Sequence, residues 1–276
     1  MATTLHTKFA ALSHPNRLDI FCLLMRRFPD ALPAGQVASI LNFPASTTST
    51  YLSALRQAGL IEQYRHGTSL QYRAALPALR GLFDDLVTGC CQNRPDICGV
   101  AEDPAIPLQG RADGRLNVLF VCTANAARSI MAEALLRAEA GDRFNVFSAG
   151  TRPAPSPHAE ALKLLAGRGH DTDGLSCTDA QHFAGPDGTS MDIIITVCDQ
   201  AANNGGVAWS GRPLCTHWST KDPKEADSIA FEDAYMLLRD RVRELAALPL
   251  DQLDRVQLQH HLDKISFVRP ATEDAV

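Results

Sequence analysis

Asn117-Val118-Leu119-Phe120-Val121-Cys122-Thr123-Ala124-Asn125-Ala126-Ala127-Arg128-Ser129 reads as an apolar strand, a loop of small residues, and the opening of a helix at Ser129. The apolar positions that follow, Ile130, Met131, Ala134 and Leu135, recur at helical spacing. A cysteine, five residues and an arginine at such a junction place a nucleophile beneath an anion trap. Loop N–H groups converge on one point, and the helix N-terminus adds partial positive charge. That field is expected to lower the Cys122 pKa and supply thiolate at neutral pH. Arg128 brings a planar two-donor fork suited to a tetrahedral anion. Thr123, Ala124, Asn125, Ala126, Ala127, Arg128 and Ser129 form the expected oxyanion-binding set.

Outward from this loop, strand-like runs at 117–121, 145–148 and 192–197 alternate with helical patterns at 129–140, 158–168, 230–248 and 252–265. That alternation implies an α/β unit with a parallel sheet covered by helices. Residues 1–90 differ. Apolar helices interrupted near His14-Pro15, a short helix around Val37, Ile40 and Leu41, and a helix over 47–58 with Ser46 as N-cap lead to two strands about a His66-Gly67 turn. This is the outline of a mainly α winged helix-turn-helix.

The length of 276 residues suits two domains, expected at 1–91 and 116–270, with a linker over 92–115 punctuated by Pro95, Pro104, Pro107, Gly99, Gly110 and Gly114. Hydrophobic content of 45% supports real cores. No apolar run approaches the roughly 18 residues of a membrane span, and no basic-then-apolar leader is present, so a cytoplasmic protein is expected. Eight cysteines at irregular spacing then read as reactive or ligand thiols rather than structural disulfides. Cys22, in an apolar helix, is expected in the core. Residues 1–90 carry 8 Lys+Arg against 5 Asp+Glu, a net of +3, on a chain whose total is −5. A mildly basic unit on an acidic chain fits contact with DNA.

Phe9-x2-Leu12-Ser13-His14-Pro15-x-Arg17-Leu18 and Tyr51-Leu52-x2-Leu55-x2-Ala58-Gly59-Leu60-Ile61 resemble the ArsR/SmtB group of metal-responsive bacterial repressors. The resemblance implies a homodimer on double-stranded operator DNA. The second helix of the motif would enter the major groove and present Ser46, Thr47, Ser49, Thr50 and Tyr51. Arg56, Arg65 and Arg73 would sit near phosphates. Cys90, Cys91 and Cys98, where the repressor unit gives way to the linker, supply three soft thiolates. Arsenite or antimonite suits a three-sulfur pyramid, whereas zinc wants a fourth ligand. The pattern is similar to the inducer sites of arsenic-responsive members of that group.

The loop at Cys122 resembles the active-site loop of low-molecular-weight tyrosine phosphatases and of the arsenate reductases built on their fold. The resemblance continues through Ser148-Ala149-Gly150, Gly169-His170, residues 192–199, His217-Trp218 and Asp222-Pro223. It implies that Cys122 attacks an arsenate or phosphate oxyanion, that Arg128 holds it, and that Asp222 is the general acid. Asn125 would brace the loop, Ser129 would donate to the thiolate, and Cys198 would be the second thiol that expels arsenite. The chain departs from that branch at Ala126, where relatives usually carry Ser. It departs again at Gly205 and Gly206, where thioredoxin-coupled relatives place a relay cysteine. Cys177 or Cys215 as substitute relay, direct reduction by an external low-molecular-weight thiol, glutaredoxin or thioredoxin, and a domain that does not complete a cycle all remain open. Lys224-Glu225 after Asp-Pro, where phosphatases usually carry aromatics, favour a small inorganic oxyanion. The expectation is an arsenic-responsive repressor fused to an arsenate reductase without a tightly bound cofactor. The alternative is a regulator with a non-reducing oxyanion-binding or phosphatase domain.

Overall fold

The computed structural model describes residues 2–86, 114–184, 188–204, 207, 209, 213–223 and 228–269. The chain divides into two compact units, Met1–Pro104 and Ala105–Val276.

In the first unit, helices α1 (Ala2–Leu12), α2 (Pro15–Arg27), α3 (Ala34–Leu41), α4 (Ala45–Gln57) and α5 (Leu76–Asp85) surround a small antiparallel sheet. Its strands β1 (Leu32–Pro33), β2 (Ile61–His66) and β3 (Ser69–Ala74) lie in the order β1-β3-β2. Proline at the first position of α2 fixes φ where no intrahelical N–H is needed, so the chain breaks at His14-Pro15 and restarts there. Gly59, at φ +72°, turns the chain out of α4 into the hairpin. The wing turn is Gly67-Thr68, because His66 pairs with Ser69, one residue later than the sequence suggests. Ile20, Leu23, Leu24, Leu52, Leu55 and Leu60 are fully buried and form the shared core. Cys22 lies outside it and is only half-buried.

Ser46 is not the cap of α4. The cap is Pro44, which offers no side-chain acceptor. Its carbonyl takes both the Thr48 backbone N–H at 2.9 Å and the Thr48 hydroxyl at 3.0 Å. The helix thereby starts two residues early, and Ser46 falls in its first turn.

The second unit is a four-stranded parallel sheet in the order β5-β4-β6-β7, formed by β4 (Leu116–Cys122), β5 (Phe144–Gly150), β6 (Ile193–Thr196) and β7 (Leu214–His217). Helices α6 (Arg128–Ala140), α7 (Ala159–Gly167), α8 (Asp199–Asn204), α9 (Ser228–Ala246) and α10 (Arg255–Ile265) complete it. Every residue of β4 is buried, as a central parallel strand covered on both faces requires. The chain runs from β4 to β5 on one side and then to β6 on the other. Strand order therefore reverses at β4, and the crevice beyond the strand ends at such a reversal is where open α/β sheets bind ligands. Cys122 ends β4 in that crevice. Among the described residues, no helix is long and apolar enough to cross a membrane.

Candidate functional site

The loop after β4 is held by its carbonyls. Cys122 O accepts from Thr151 N at 3.0 Å, Thr123 O from Arg152 N at 2.8 Å, Ala124 O from Ala154 N at 2.8 Å and Ala126 O from His158 N at 2.7 Å. Asn125 O accepts from Cys177 Sγ at 3.0 Å. With the carbonyls turned outward against residues 151–158 and Cys177, the amide N–H groups face the hollow over Cys122. Asn125 makes the reversal at φ +49°, a region that asparagine enters more readily than other side-chain-bearing residues. Helix α6 then starts at Arg128, one residue before Ser129, and its cap residue Ala127 supplies no side-chain acceptor. The first-turn N–H groups, lacking intrahelical partners, are aimed at the same point.

Hydrogen bonds beneath the loop fix where the protons lie. Thr178 N donates to Asn125 Oδ1 at 2.7 Å, so Asn125 Nδ2 is the donor to Ser129 Oγ at 2.9 Å and to Ser148 Oγ at 2.7 Å. Ser148 Oγ passes its own proton to Glu133 Oε2 at 2.6 Å. Ser129 Oγ also lies 3.0 Å from Cys122 Sγ, where it can accept from the thiol and can only donate to the thiolate. Asn125 N donates to the same sulfur at 3.1 Å.

Burial pushes the Cys122 thiol up from its ordinary pKa, and the neighbouring Cys198 thiol adds to the rise. The Ser129 hydroxyl and backbone N–H and the Arg128 guanidinium pull it down. Burial outweighs these donors, which runs against the expectation of a lowered pKa: the loop field acts on a sulfur that is almost fully buried. Alkylation of Cys122 by iodoacetamide is therefore expected to keep rising with pH above neutrality, because the thiol form predominates below the raised pKa. A plateau reached below pH 7 would contradict this. Ser129→Ala removes a hydrogen bond to the charged form worth about 1.5–3 kcal/mol, and should slow alkylation at fixed pH by roughly tenfold or more.

Arg128 is 8% exposed. Its Nη1 donates to Thr220 O at 3.0 Å and its Nη2 to Asp222 Oδ2 at 2.6 Å. Asp222 thus reaches the cradle already seated on the arginine fork. Cys198, 1% exposed, follows β6. Its sulfur lies 3.3 Å from Thr123 Oγ1 and accepts from Ala201 N at 3.4 Å in the first turn of α8. Val121 pairs with Thr196 across β4 and β6, so Cys198 stands one position beyond the register of Cys122. Ladder spacings of about 4.8 Å across and 3.3 Å along would set their Cα atoms about 6 Å apart, inside disulfide range.

Gln200 was not singled out from sequence, yet Thr123 Oγ1 donates to its Oε1 at 3.2 Å. It lines both of two adjoining hollows. One, of about 170 Å³, holds Cys122, Thr123, Ala124, Ala126, Ala127, Arg128 and Asp222. The other, of about 260 Å³, holds Cys198. Only the short α8, which lacked a clear periodic signal, would have pointed to Gln200.

Of the two substitute relays, Cys215 is not placed to pair with Cys198. Cys215 lies in β7 opposite Ile194, four residues short of Cys198 along β6, or about 13 Å at strand rise. Cys177 sits two residues before Asp179, which bridges Gly150, itself the neighbour of Cys122. Its sulfur is held on the outer side of the loop by Asn125 O at 3.0 Å, while Asn125 N faces Cys122. Gly205, Gly206, Lys224, Glu225, Cys90, Cys91 and Cys98 lie outside the described residues.

On α4, Ser46, Ser49 and Thr50 are exposed, while Thr47 and Tyr51 are half-buried. Ser49 and Thr50 return their hydroxyl protons to Ala45 O and Ser46 O. The Tyr51 hydroxyl is within 3.3 Å of His14 Nε2, and its ring packs edge-on to Phe43. Arg56 and Arg65 are exposed. Arg73 is not set up for a phosphate. It donates to Glu62 at 3.1 Å and lies over the Phe28 and Tyr64 rings at 5.9 and 5.7 Å.

Known proteins match the two units separately. Residues 117–259 match the family described as low molecular weight phosphotyrosine protein phosphatase, and residues 14–63 match bacterial regulatory protein, arsR family. An arsenate reductase of Bacillus licheniformis is 30% identical over 133 residues, covering 46% of this chain and 89% of that protein. A glutaredoxin arsenate reductase of Synechocystis sp. is 25% identical over 130 residues, covering 47% and 95%. The HTH-type transcriptional regulator YgaV of Escherichia coli K12 is 32% identical over 81 residues, covering 29% and 80%. With just over half its length inside the first match, the chain belongs to the low molecular weight phosphotyrosine protein phosphatase family, fused behind a regulatory unit of the bacterial arsR family.

Proposed function

We propose that this chain is an arsenic-responsive repressor fused to an arsenate reductase and acting in the cytoplasm. The observation that carries the catalytic half is the pair of buried thiols, with Cys122 under inward-facing amides and Cys198 one register position beyond it. The names of the B. licheniformis and Synechocystis relatives support the same substrate.

In this reading Cys122 gives its proton to the bound oxyanion and attacks arsenic in line. Loop N–H groups and Arg128 hold the equatorial oxygens, displacing Asp222 from Nη2, and Asp222 relays the proton released by Cys122 to the leaving oxygen, which departs as water. Cys198 thiolate next attacks Cys122 Sγ. The S–As bond breaks with its electron pair on arsenic, arsenite leaves, and a Cys122–Cys198 disulfide remains. An external thiol restores both cysteines. Arsenate-dependent turnover with thioredoxin or glutathione systems, lost in Cys122→Ser, tests the assignment. The family match favours one second reading, a phosphatase. Hydrolysis of an aryl phosphate without arsenate reduction would establish it.

In the regulatory half, α4 enters the major groove through Ser46, Thr47, Ser49 and Thr50, with Tyr51 beside them against His14. A homodimer is supported by Phe9 and Phe83, 43% and 56% exposed on α1 and α5, the two helices tied by Lys8 Nζ to Ala78 O at 2.9 Å. Arg56→Ala and Arg65→Ala are each expected to weaken duplex binding and lower the salt slope by about 1. Arg73→Ala should lower the melting temperature and leave that slope unchanged; fluorescence anisotropy across a salt series separates the two outcomes. Arsenite, bound by Cys90, Cys91 and Cys98, would favour the state of lower operator affinity. Arsenite should release operator DNA from the wild type in a gel shift and fail to release it from the Cys90/Cys91/Cys98→Ser variant. Equal release from both removes the sensing role.

A further inference from the structure

The larger hollow, beside Cys198, has no part in holding the oxyanion. Its walls include Cys198, Asp199, Gln200, Ser219 and Lys221, and it meets the Cys122 cradle at Arg128 and Asp222. At about 260 Å³ it falls just below the roughly 300–1,000 Å³ of ordinary small-molecule pockets, room for one small reagent. Its lining carries both signs of charge: Lys221, and the Asp199 carboxylate, whose Oδ1 accepts from Ser219 Oγ at 2.7 Å and lies 3.3 Å from His217 Nε2. The buried sulfur of Cys198 lines the same hollow, Cys215 lies four strand positions short of it, and the Cys177 thiol is engaged by Asn125 O on the outer side of the loop. Positions 205 and 206 are glycines.

We propose that this hollow seats an amino-acid-derived low-molecular-weight thiol, with its carboxylate on Lys221 and its ammonium on Asp199, which reduces the Cys122–Cys198 disulfide directly at Cys198. This rests on the arsenate reductase reading and names the reductant of that site. The thiolate of the reagent attacks Cys198 Sγ. The S–S bond breaks with its electron pair on Cys122, where Ser129 O–H and Asn125 N–H receive the charge. A second reagent thiolate attacks the reagent sulfur of the mixed disulfide, releases Cys198 thiolate, and leaves as the reagent's own disulfide. Two small thiols are oxidised and two protein thiols restored.

The test uses the full chain in two stages. Reduced protein is first given arsenate without external thiol, and arsenite and the Cys122–Cys198 disulfide are quantified. Failure here counts against the arsenate reductase reading. The same disulfide is also made with diamide, independently of arsenate, so the second stage stands alone; failure to form it by either route overturns the present proposal. Its reduction is then followed by mass spectrometry with glutathione and with uncharged 2-mercaptoethanol, each corrected to its thiolate concentration. Glutathione should be the faster, and Lys221→Glu should slow glutathione at least about fivefold while leaving 2-mercaptoethanol unchanged. Equal effects on both reagents would overturn the proposal. So would reduction by a thioredoxin-class protein alone, or loss of reduction in Cys177→Ser, Cys215→Ser or Cys90/Cys91/Cys98→Ser.

Discussion

Cys122→Ser is expected to reduce arsenate turnover by about four orders of magnitude or more, equivalent to roughly 5–6 kcal/mol of lost transition-state stabilisation. Serine fits the site. Its hydroxyl replaces the sulfur as partner of Ser129 Oγ and Asn125 N, which lie 3.0 and 3.1 Å away. The loop carbonyls keep their partners in residues 151–158. Nothing in the cradle therefore collapses. The loss is chemical, because an unactivated hydroxyl neither attacks arsenic at useful rates nor leaves from it as a sulfur can. Equilibrium dialysis should show arsenate still bound by the variant, since the amides and Arg128 are intact. Turnover within tenfold of wild type would mean that the nucleophile lies elsewhere.

Gly150→Ala is the second large effect, and it acts through backbone. A Cβ at Gly150 would meet Thr123 O at 2.7 Å and Asn125 Cβ and N at 3.0 Å. None of these is the far end of a flexible side chain. The end of β5 must move away or the loop must tilt, yet Gly150 N is also held by Thr178 O at 2.8 Å. Displacements near 1 Å at reacting groups cost about a hundredfold in rate, and overpacking costs about 1–3 kcal/mol in stability. Arsenate turnover should fall by about that factor, with a lowered denaturation midpoint. Gly167→Ala is the control: a Cβ there meets nothing within 4 Å, and stability should hold or rise slightly. Equal behaviour of the two variants would remove the argument for close approach.

The loop itself was legible in the sequence because its signals are local. A run of seven buried residues, apolar but for Asn117, a small-residue loop and a helix start are fixed by neighbours in the chain, and they placed Cys122, Arg128 and Ser129 together. Asp222 and Cys198 came from the resemblance, and the fold brings both to the same crevice. The hollow beside Cys198 was not legible. It is built by Cys198 after β6, by α8, six residues long, and by residues 219–222 after β7, none of which shows a period. The state of Cys122 was misread for a related reason. Donors can be read from a motif, but the burial that outweighs them comes from α6 and the strands packed around the sulfur. Ser46 lost its capping role because the Pro44 carbonyl starts the helix early, and Arg73 is engaged by Glu62 and two aromatic rings that no local pattern announces.

The central claim, that the two buried thiols carry arsenate to arsenite, is tested most directly by a single turnover of the fully reduced chain without any external thiol. The account predicts one arsenite released per chain, with the loss of two titratable thiols and a Cys122–Cys198 disulfide in the peptide map. Arsenate recovered unchanged from a chain that binds it, with both cysteines still reduced, would contradict it.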